Sequence, residues 1–335
     1  MLTDKSNRKG LWRTILLLLL MCLSSCQQIR NYEANKRTVK GMLLMDAEDY
    51  QHALAEFREA VRLNPQMATA YSRMGQIYAH IGRLEEALKA YQQAVRIDPF
   101  NVSDVLSLAH IYQKLGYITE AIRAYLHASE LEDGSFEAEL NLGVCYLQEG
   151  LLEQSIEHFN KAIEIDPDST FAYANLGAAY DMQGKYYEAI HAYKESLERD
   201  EKQPMVLINL GTTYMKQERF EAAERAFKKA LELDFHSAIA FERLGYCFYR
   251  QGLLEKARDM YIDALKIKEE SAGAHTGLGV VLMTMYLKNP KEIELRKEGL
   301  EHWYRSLEID PNQPKVRQLI EKYKLPPQSQ PIPEL

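Results

Sequence analysis

Along most of the chain, apolar residues recur three and four positions apart, the spacing that gathers them on one face of a helix. Tyr71, Met74, Gly75, Ile77 and Tyr78 form one such stripe, and Ala87, Leu88, Tyr91, Ala94 and Val95 form the next. The pattern itself repeats. Small residues return every 34 positions, at Gly41, Gly75, Ala109, Gly143, Gly177, Gly211, Gly245 and Gly279. Twelve residues further on stand Ala53, Ala87, Ala121, Ser155, Ala189, Ala223 and Ala257, and seven beyond those Ala60, Ala94, Ala128, Ala162, Ser196, Ala230 and Ala264. Between these two columns runs an aromatic one, Phe57, Tyr91, Tyr125, Phe159, Tyr193, Phe227 and Tyr261. Seven copies without an insertion predict two helices per unit and a stack of units, because no helix pair buries its apolar face alone. Small residues belong where helix backbones approach closely, and the aromatic column is expected to fill the gap between neighbouring pairs. Asn64-Pro65, Asp98-Pro99, Asp166-Pro167 and Asp310-Pro311 close units, since proline disfavours helix in the residue before it.

These offsets resemble the tetratricopeptide repeat (TPR) family, a 34-residue helix–turn–helix with Leu-Gly, Tyr, Ala, aromatic, Ala and Pro at set positions. The resemblance implies an all-α fold, a right-handed α-solenoid of eight repeats. Their bounds are 34–67, 68–101, 102–135, 136–169, 170–203, 204–237, 238–271 and 272–313. The closing proline is missing after Asp133, Glu201, Phe235 and Glu269. The eighth unit is larger by eight residues between its glycine and its proline, an excess expected to lengthen its helices by about two turns in total. Asn289-Pro290 is its expected turn. After it, Val316, Leu319, Ile320 and Tyr323 have helical spacing, and 314–324 reads as a capping helix of the kind an array needs at its end. The tail 325–335, with Pro326, Pro327, Pro331 and Pro333, reads as extended or disordered.

The amino terminus carries a different signal. Lys5, Arg8, Lys9 and Arg13 precede the apolar run Ile15–Leu23, which is well short of the ~20 residues needed to cross a bilayer. A basic start, a short apolar core and small residues make a secretory signal peptide over residues 1–25. Leu23-Ser24-Ser25-Cys26 resembles the bacterial lipobox, which implies lipid on Cys26, a short linker over 26–33, and an array held close to a membrane. Gln27 is not the aspartate associated with inner-membrane retention in enteric bacteria, so the expected location is the outer membrane, facing the periplasm. Cys145 and Cys247 occupy the same repeat position three units apart, too far for a disulfide, and read as small buried apolar residues.

Charge narrows the partners. The chain has 41 basic and 48 acidic residues and a net charge of −7. Loss of residues 1–25 removes four basic residues and one acidic one, leaving a net charge near −10. Nothing in this balance invites nucleic acid. The sequence holds no phosphate-binding glycine loop, metalloprotease helix, paired-cysteine metal motif or nucleophile elbow. No cofactor, metal or small-molecule substrate is expected, and the chain reads as non-enzymatic. His80 and His110, with Asp46, are the sole candidates for a metal, and they read better as solvated groove residues. Glu292, Glu294 and Glu298 are the candidates for an enzymatic reading, and they read better as solvent-facing carboxylates.

The TPR resemblance implies partner binding on the face formed by the first helix of each unit. Two residues before each small position stand Val39, Arg73, Ser107, Asn141, Asn175, Asn209, Arg243 and Gly277. Asn141, Asn175 and Asn209 resemble the asparagine ladder of the TPR region of O-GlcNAc transferase, which holds a peptide main chain. An amide side chain offers that main chain both a donor and an acceptor. Asparagine is also common at this offset in TPR proteins at large, so both readings stand. Arg73 lies at the same offset. Phe171, Met205, Ile208, Met215, Ile239, Tyr246 and Tyr249 place apolar groups on the same face, either as a docking patch or as residues hidden by tight packing. Arg243 is placed to meet a carboxylate at one end of the ladder. The resemblance extends to TPR lipoproteins that act as envelope adaptors and, alternatively, to TPR pilotins that help a secretin assemble.

Overall fold

The computed structural model describes residues 27–324. The expectations for residues 1–26 and 325–335, which include the leader, the lipid-bearing Cys26 and the proline-rich tail, lie outside the described residues. Among those residues the chain is all-helical, with seventeen helices and no strand.

Two compact units divide the chain, Met1–Ile165 and Asp166–Leu335. The first holds α1 (27–46), α2 (Tyr50–Leu63), α3 (Ala68–His80), α4 (Leu84–Ile97), α5 (Val102–Lys114), α6 (Ile118–Leu131), α7 (Phe136–Gln148) and α8 (Leu152–Ile165). The second holds α9 (Thr170–Met182), α10 (Tyr186–Arg199), α11 (Pro204–Lys216), α12 (Phe220–Leu233), α13 (Ala238–Arg250), α14 (Leu254–Ile267), α15 (Ala272–Lys288), α16 (Ile293–Ile309) and α17 (Pro314–Tyr323). Consecutive helices pack as hairpins, and within each unit one hairpin packs on the next.

The 34-residue columns are the packing scheme. Both alanine columns are fully buried, and Phe57, Tyr125, Phe159 and Phe227 are sealed from solvent. Six of the aromatic rings lie on the glycine of their own hairpin, with Ala109 in that place opposite Tyr125, and Tyr261 also reaches Gly277 of the next hairpin. A Cβ at Gly143 would stand 2.5 Å from the Phe159 ring, and one at Gly177 would stand 2.7 Å from the Tyr193 ring. Burying one such ring contributes about 1.5–3 kcal/mol, and the bare glycine backbone is what lets it sit so close. Where serine replaces alanine its hydroxyl finds a backbone acceptor: Ser155 Oγ donates to Gly143 O (2.8 Å) and Ser196 Oγ to Thr170 O (2.9 Å).

A further column sets the turn inside each hairpin. Glu48, Gly82, Gly116, Gly150, Gly184, Glu218 and Gly252, again 34 apart, all have φ between +57° and +80°. That left-handed conformation stops the first helix and lets the chain reverse. In the eighth hairpin the column falls on Tyr286, which is buried, and the helix runs on to Lys288. Helices α15 and α16 therefore reach 17 residues each, against 13 and 14 in their counterparts α13 and α14. The eight extra residues keep the packing scheme in register, because Gly279 meets Trp303 and Gly299 as other glycines meet their rings.

Helix α17 covers the end of the second unit. Val316 and Ile320 are buried with Met283, Tyr286 and Trp303, and Leu319 and Tyr323 pack at the edge. The buried Arg296 donates from Nε to Tyr323 O (3.0 Å) and from Nη2 to Lys324 O (2.7 Å), satisfying carbonyls that the helix end leaves open.

Candidate functional site

The first helices of the second unit, α9, α11, α13 and α15, present two rows of side chains one helical turn apart. Phe171, Met205 and Ile239 stand in the first turns of α9, α11 and α13, and are 71%, 55% and 49% exposed. Large apolar side chains at that exposure, repeated in step, are what a docking surface offers. Four residues further along the same helices stand Asn175, Asn209 and Arg243. Neither asparagine side chain has a hydrogen-bond partner among the described residues, and the Arg243 side chain has neither an ion pair nor a hydrogen bond there. An apolar row thus runs beside a row of unspent polar groups.

On α15 both rows end in glycine, at Gly273 and Gly277. The missing side chains open a cavity of about 310 Å³ lined by Arg243, Tyr246, Tyr249, Tyr261, Thr276 and Val280, with Glu242 at its edge. Tyr261 forms its floor. The ring touches Gly245 of its own hairpin and Gly277 of the next, so a side chain at position 277 would collide with it. Burial, with the Glu242 carboxylate nearby, pushes the Tyr261 phenol up, so it stays a neutral donor. Glu242 accepts from Ser271 Oγ at 2.5 Å, and Arg250 donates to the Tyr246 hydroxyl at 3.3 Å while pairing with Glu218 at 3.0 Å. The cavity therefore joins aromatic faces, an unpaired cation and a held carboxylate.

Several sequence expectations change. Ile208 and Met215 are buried, at 3% and 6% exposure, and belong to the core. Helix α11 is touched by α9, α10, α12 and α13, which leaves few of its faces free. Tyr249 is half-buried against the core, whereas Tyr246 is 41% exposed. Asn141 and Arg73 lie in the first unit. Asn141 spends its amide on its own helix, donating to Glu137 O at 2.8 Å, and Arg73 donates to Gln76 Oε1 at 2.9 Å. Tyr261, Gly273 and Gly277 were not singled out for the site, although two glycines where other units carry side chains were a legible signal.

His80 packs its ring against Tyr50 with centroids 4.9 Å apart. No group of three or more His, Cys, Asp or Glu among the described residues is placed to hold a metal ion. Glu292, Glu294 and Glu298 are exposed, with Glu294 paired to Lys297 at 2.6 Å. Cys145 and Cys247 are buried free thiols, and burial pushes Cys145 up to about 11. No helix among the described residues is long and apolar enough to cross a membrane.

Residues 99–296 match the cilia and flagella-associated protein 70 C-terminal domain family, and residues 38–102 match the tetratricopeptide repeat. The first match takes in more than half of the chain. The chain belongs to this family of TPR proteins. The fold agrees with a tetratricopeptide repeat protein from Parabacteroides merdae, with TM-score 0.63 and 16% identity over 78% of this chain and all of that one. It agrees with the hetero-tetramer Cut9–Hcn1 of the APC/C, with TM-score 0.59 and 19% identity over 81% of this chain. The TPR chain here spans about half (52%) of that one. PilF of Pseudomonas aeruginosa gives TM-score 0.53 and 17% identity over 63% of this chain and 96% of its own. At these identities the likeness is one of fold. Among curated proteins none matches the sequence.

Proposed function

We propose that this TPR protein is a non-enzymatic scaffold that grips an extended segment of a partner protein along α9, α11 and α13 and seats one side chain in the cavity over Tyr261. TPR domains bind other proteins or peptides, and the observation that carries the reading is the pair of rows. Exposed Phe171, Met205 and Ile239 offer apolar contact, and Asn175, Asn209 and Arg243 beside them offer unspent donors and acceptors. An extended chain alternates apolar side chains with main-chain amides, and such a surface meets both. The basic start, the run Ile15–Leu23 and the lipobox-like Leu23–Cys26 support lipid anchoring at Cys26 in a bacterial envelope membrane, and Gln27 favours the outer membrane.

The test is cross-linked capture from envelopes by wild type and variants. Asn175→Ala with Asn209→Ala removes up to four hydrogen bonds to a guest main chain, at about 0.5–1.5 kcal/mol each, so capture should fall by tenfold or more while helicity stays. Asn141→Ala should change capture little, because that amide already serves Glu137. Equal capture by the double variant and wild type would remove the ladder from the mechanism.

A further inference from the structure

The two ends of the array are finished differently. At the carboxyl end α17 turns Lys315, Arg317, Gln318, Glu321 and Lys322 to solvent. At the amino end α1 keeps an apolar stripe in the open. Ile29, Tyr32, Val39 and Leu43 are 69%, 71%, 56% and 65% exposed. At about 100° per residue these four fall within roughly a quarter of the helix circumference, opposite the buried Ala34 and Thr38 and opposite Gly41, which meets Phe57 of α2. An array end normally carries a polar outer face, so this stripe is built to be covered.

The charge around it says by what. In a chain of net charge −7 the helix carries Arg30, Lys36, Arg37 and Lys40 against Glu33 and Asp46. Lys36 stands within the stripe, 68% exposed and no closer than 3.9 Å to a carboxylate, and Lys40 flanks it, 60% exposed although paired with Glu56. Apolar residues on one side with lysines among and beside them, here Lys36 and Lys40, are the make-up of a helix that lies in the interface of an anionic bilayer. Residues 27–33, expected as a linker, are the first turns of α1, so a lipid on Cys26 would bring this face to the bilayer.

We infer that α1 is a membrane-surface element, its Ile29–Leu43 stripe seated in anionic lipid beside the acyl chain on Cys26. The inference rests on the anchored reading, and the two are separable. The mass of the amino-terminal peptide of the membrane-purified full chain reads the lipid on Cys26. The stripe is read by an environment-sensitive NBD label on Leu43→Cys, with Tyr187→Cys as the exposed control at 76%. Cys145 and Cys247 stay unlabelled because they are buried, and a chain found without lipid is labelled with Cys22→Ser and Cys26→Ser in place. Added to vesicles of phosphatidylethanolamine and phosphatidylglycerol, the label at position 43 should shift to the blue and be quenched by brominated lipid. The control should not respond. Phosphatidylcholine vesicles or high salt should weaken the shift, and Ile29→Glu with Val39→Glu should abolish it with the circular dichroism unchanged. A label that stays in water on vesicle-bound protein would overturn the inference. So would a blue shift without vesicles, whether from a dimer or from a monomer covering its own stripe. Absence of lipid on Cys26 would overturn the anchor and leave the stripe to be judged by the label.

Discussion

At the scale of single residues, the repeat is a contact between a missing side chain and a ring. Gly177 meets Tyr193 so closely that a Cβ would stand 2.7 Å away. Leucine there must displace the ring or part the hairpin, and should cost about 1–3 kcal/mol or more in urea unfolding; an unchanged midpoint would contradict the packing described. Asp104 is the opposite case. It is 3% exposed at a repeat position where Ala70, Ala138, Ala172 and Ala240 stand in other hairpins. Its Oδ1 accepts from Ser72 at 2.5 Å, and its Oδ2 is buried with no partner. Burial is the main cause that pushes this carboxyl above the usual range, with the Ser72 hydroxyl opposing it. Ionisation is therefore harder folded than unfolded, so the charge destabilises above the folded pKa and the handicap fades as pH falls toward the unfolded value. Asp104→Ala should accordingly be more stable than wild type at pH 7, by about 1–3 kcal/mol for an unpaired buried group. The gain should shrink on acidification, and a gain that grew in acid would refute the sign.

At the scale of elements, the sequence columns located the hairpins because their spacing is the packing spacing. They failed at Ile208, which sits at a groove offset yet is 3% exposed and packs in the core of the second unit. The left-handed column was missed because Glu48 and Glu218 interrupt its glycines, and only φ angles show that all seven residues share one role. The extended α15–α16 hairpin holds a contact no spacing rule exposes. His275 Nε2 donates to Glu269 O at 3.0 Å, which leaves its Nδ1 to accept from His302 Nδ1 at 2.8 Å. Both rings are neutral in that chain. Burial, with His275 close by, pushes His302 down to about 4, and burial lowers His275, with Arg305 adding to the effect. For a base with a depressed folded pKa, stability is full above about 6.5, the unfolded histidine value. It is lost as pH falls from there toward 4. His302→Gln should remove on the order of 1 kcal/mol of that acid loss, a figure discounted because the ring is half-buried. Unfolding curves at pH 7 and pH 5 for both proteins would show it, and parallel acid losses would rule the pair out as their source.

At the scale of the whole molecule, a stack of hairpins puts its information into what each unit places at equivalent offsets. The candidate site was half legible for that reason. Asn175, Asn209, Arg243, Phe171 and Met205 could be read from offsets, since an offset fixes which face of a first helix a residue occupies. The cavity could not, because it arises from Tyr261 of one hairpin lying under Gly277 of the next, a relation between units that a column does not state. The same reasoning bears on how the protein is held. Its described helices supply no membrane span, so the proposed anchoring draws on residues 1–26, and the two candidate devices there behave differently. A lipid needs the Cys26 thiol, whereas an uncleaved apolar run does not. One acyl chain holds only marginally, and stable anchoring takes two signals; lipid at Cys26 with the α1 stripe and its lysines would supply both. Cys26→Ser should therefore move the protein from the membrane pellet to the supernatant, or leave a larger precursor that still carries residues 1–25. Fractionation with the amino terminus read by mass distinguishes these results. A serine variant that is processed to normal size and still sediments with membranes in high salt would show that neither the lipid nor the leader is the anchor.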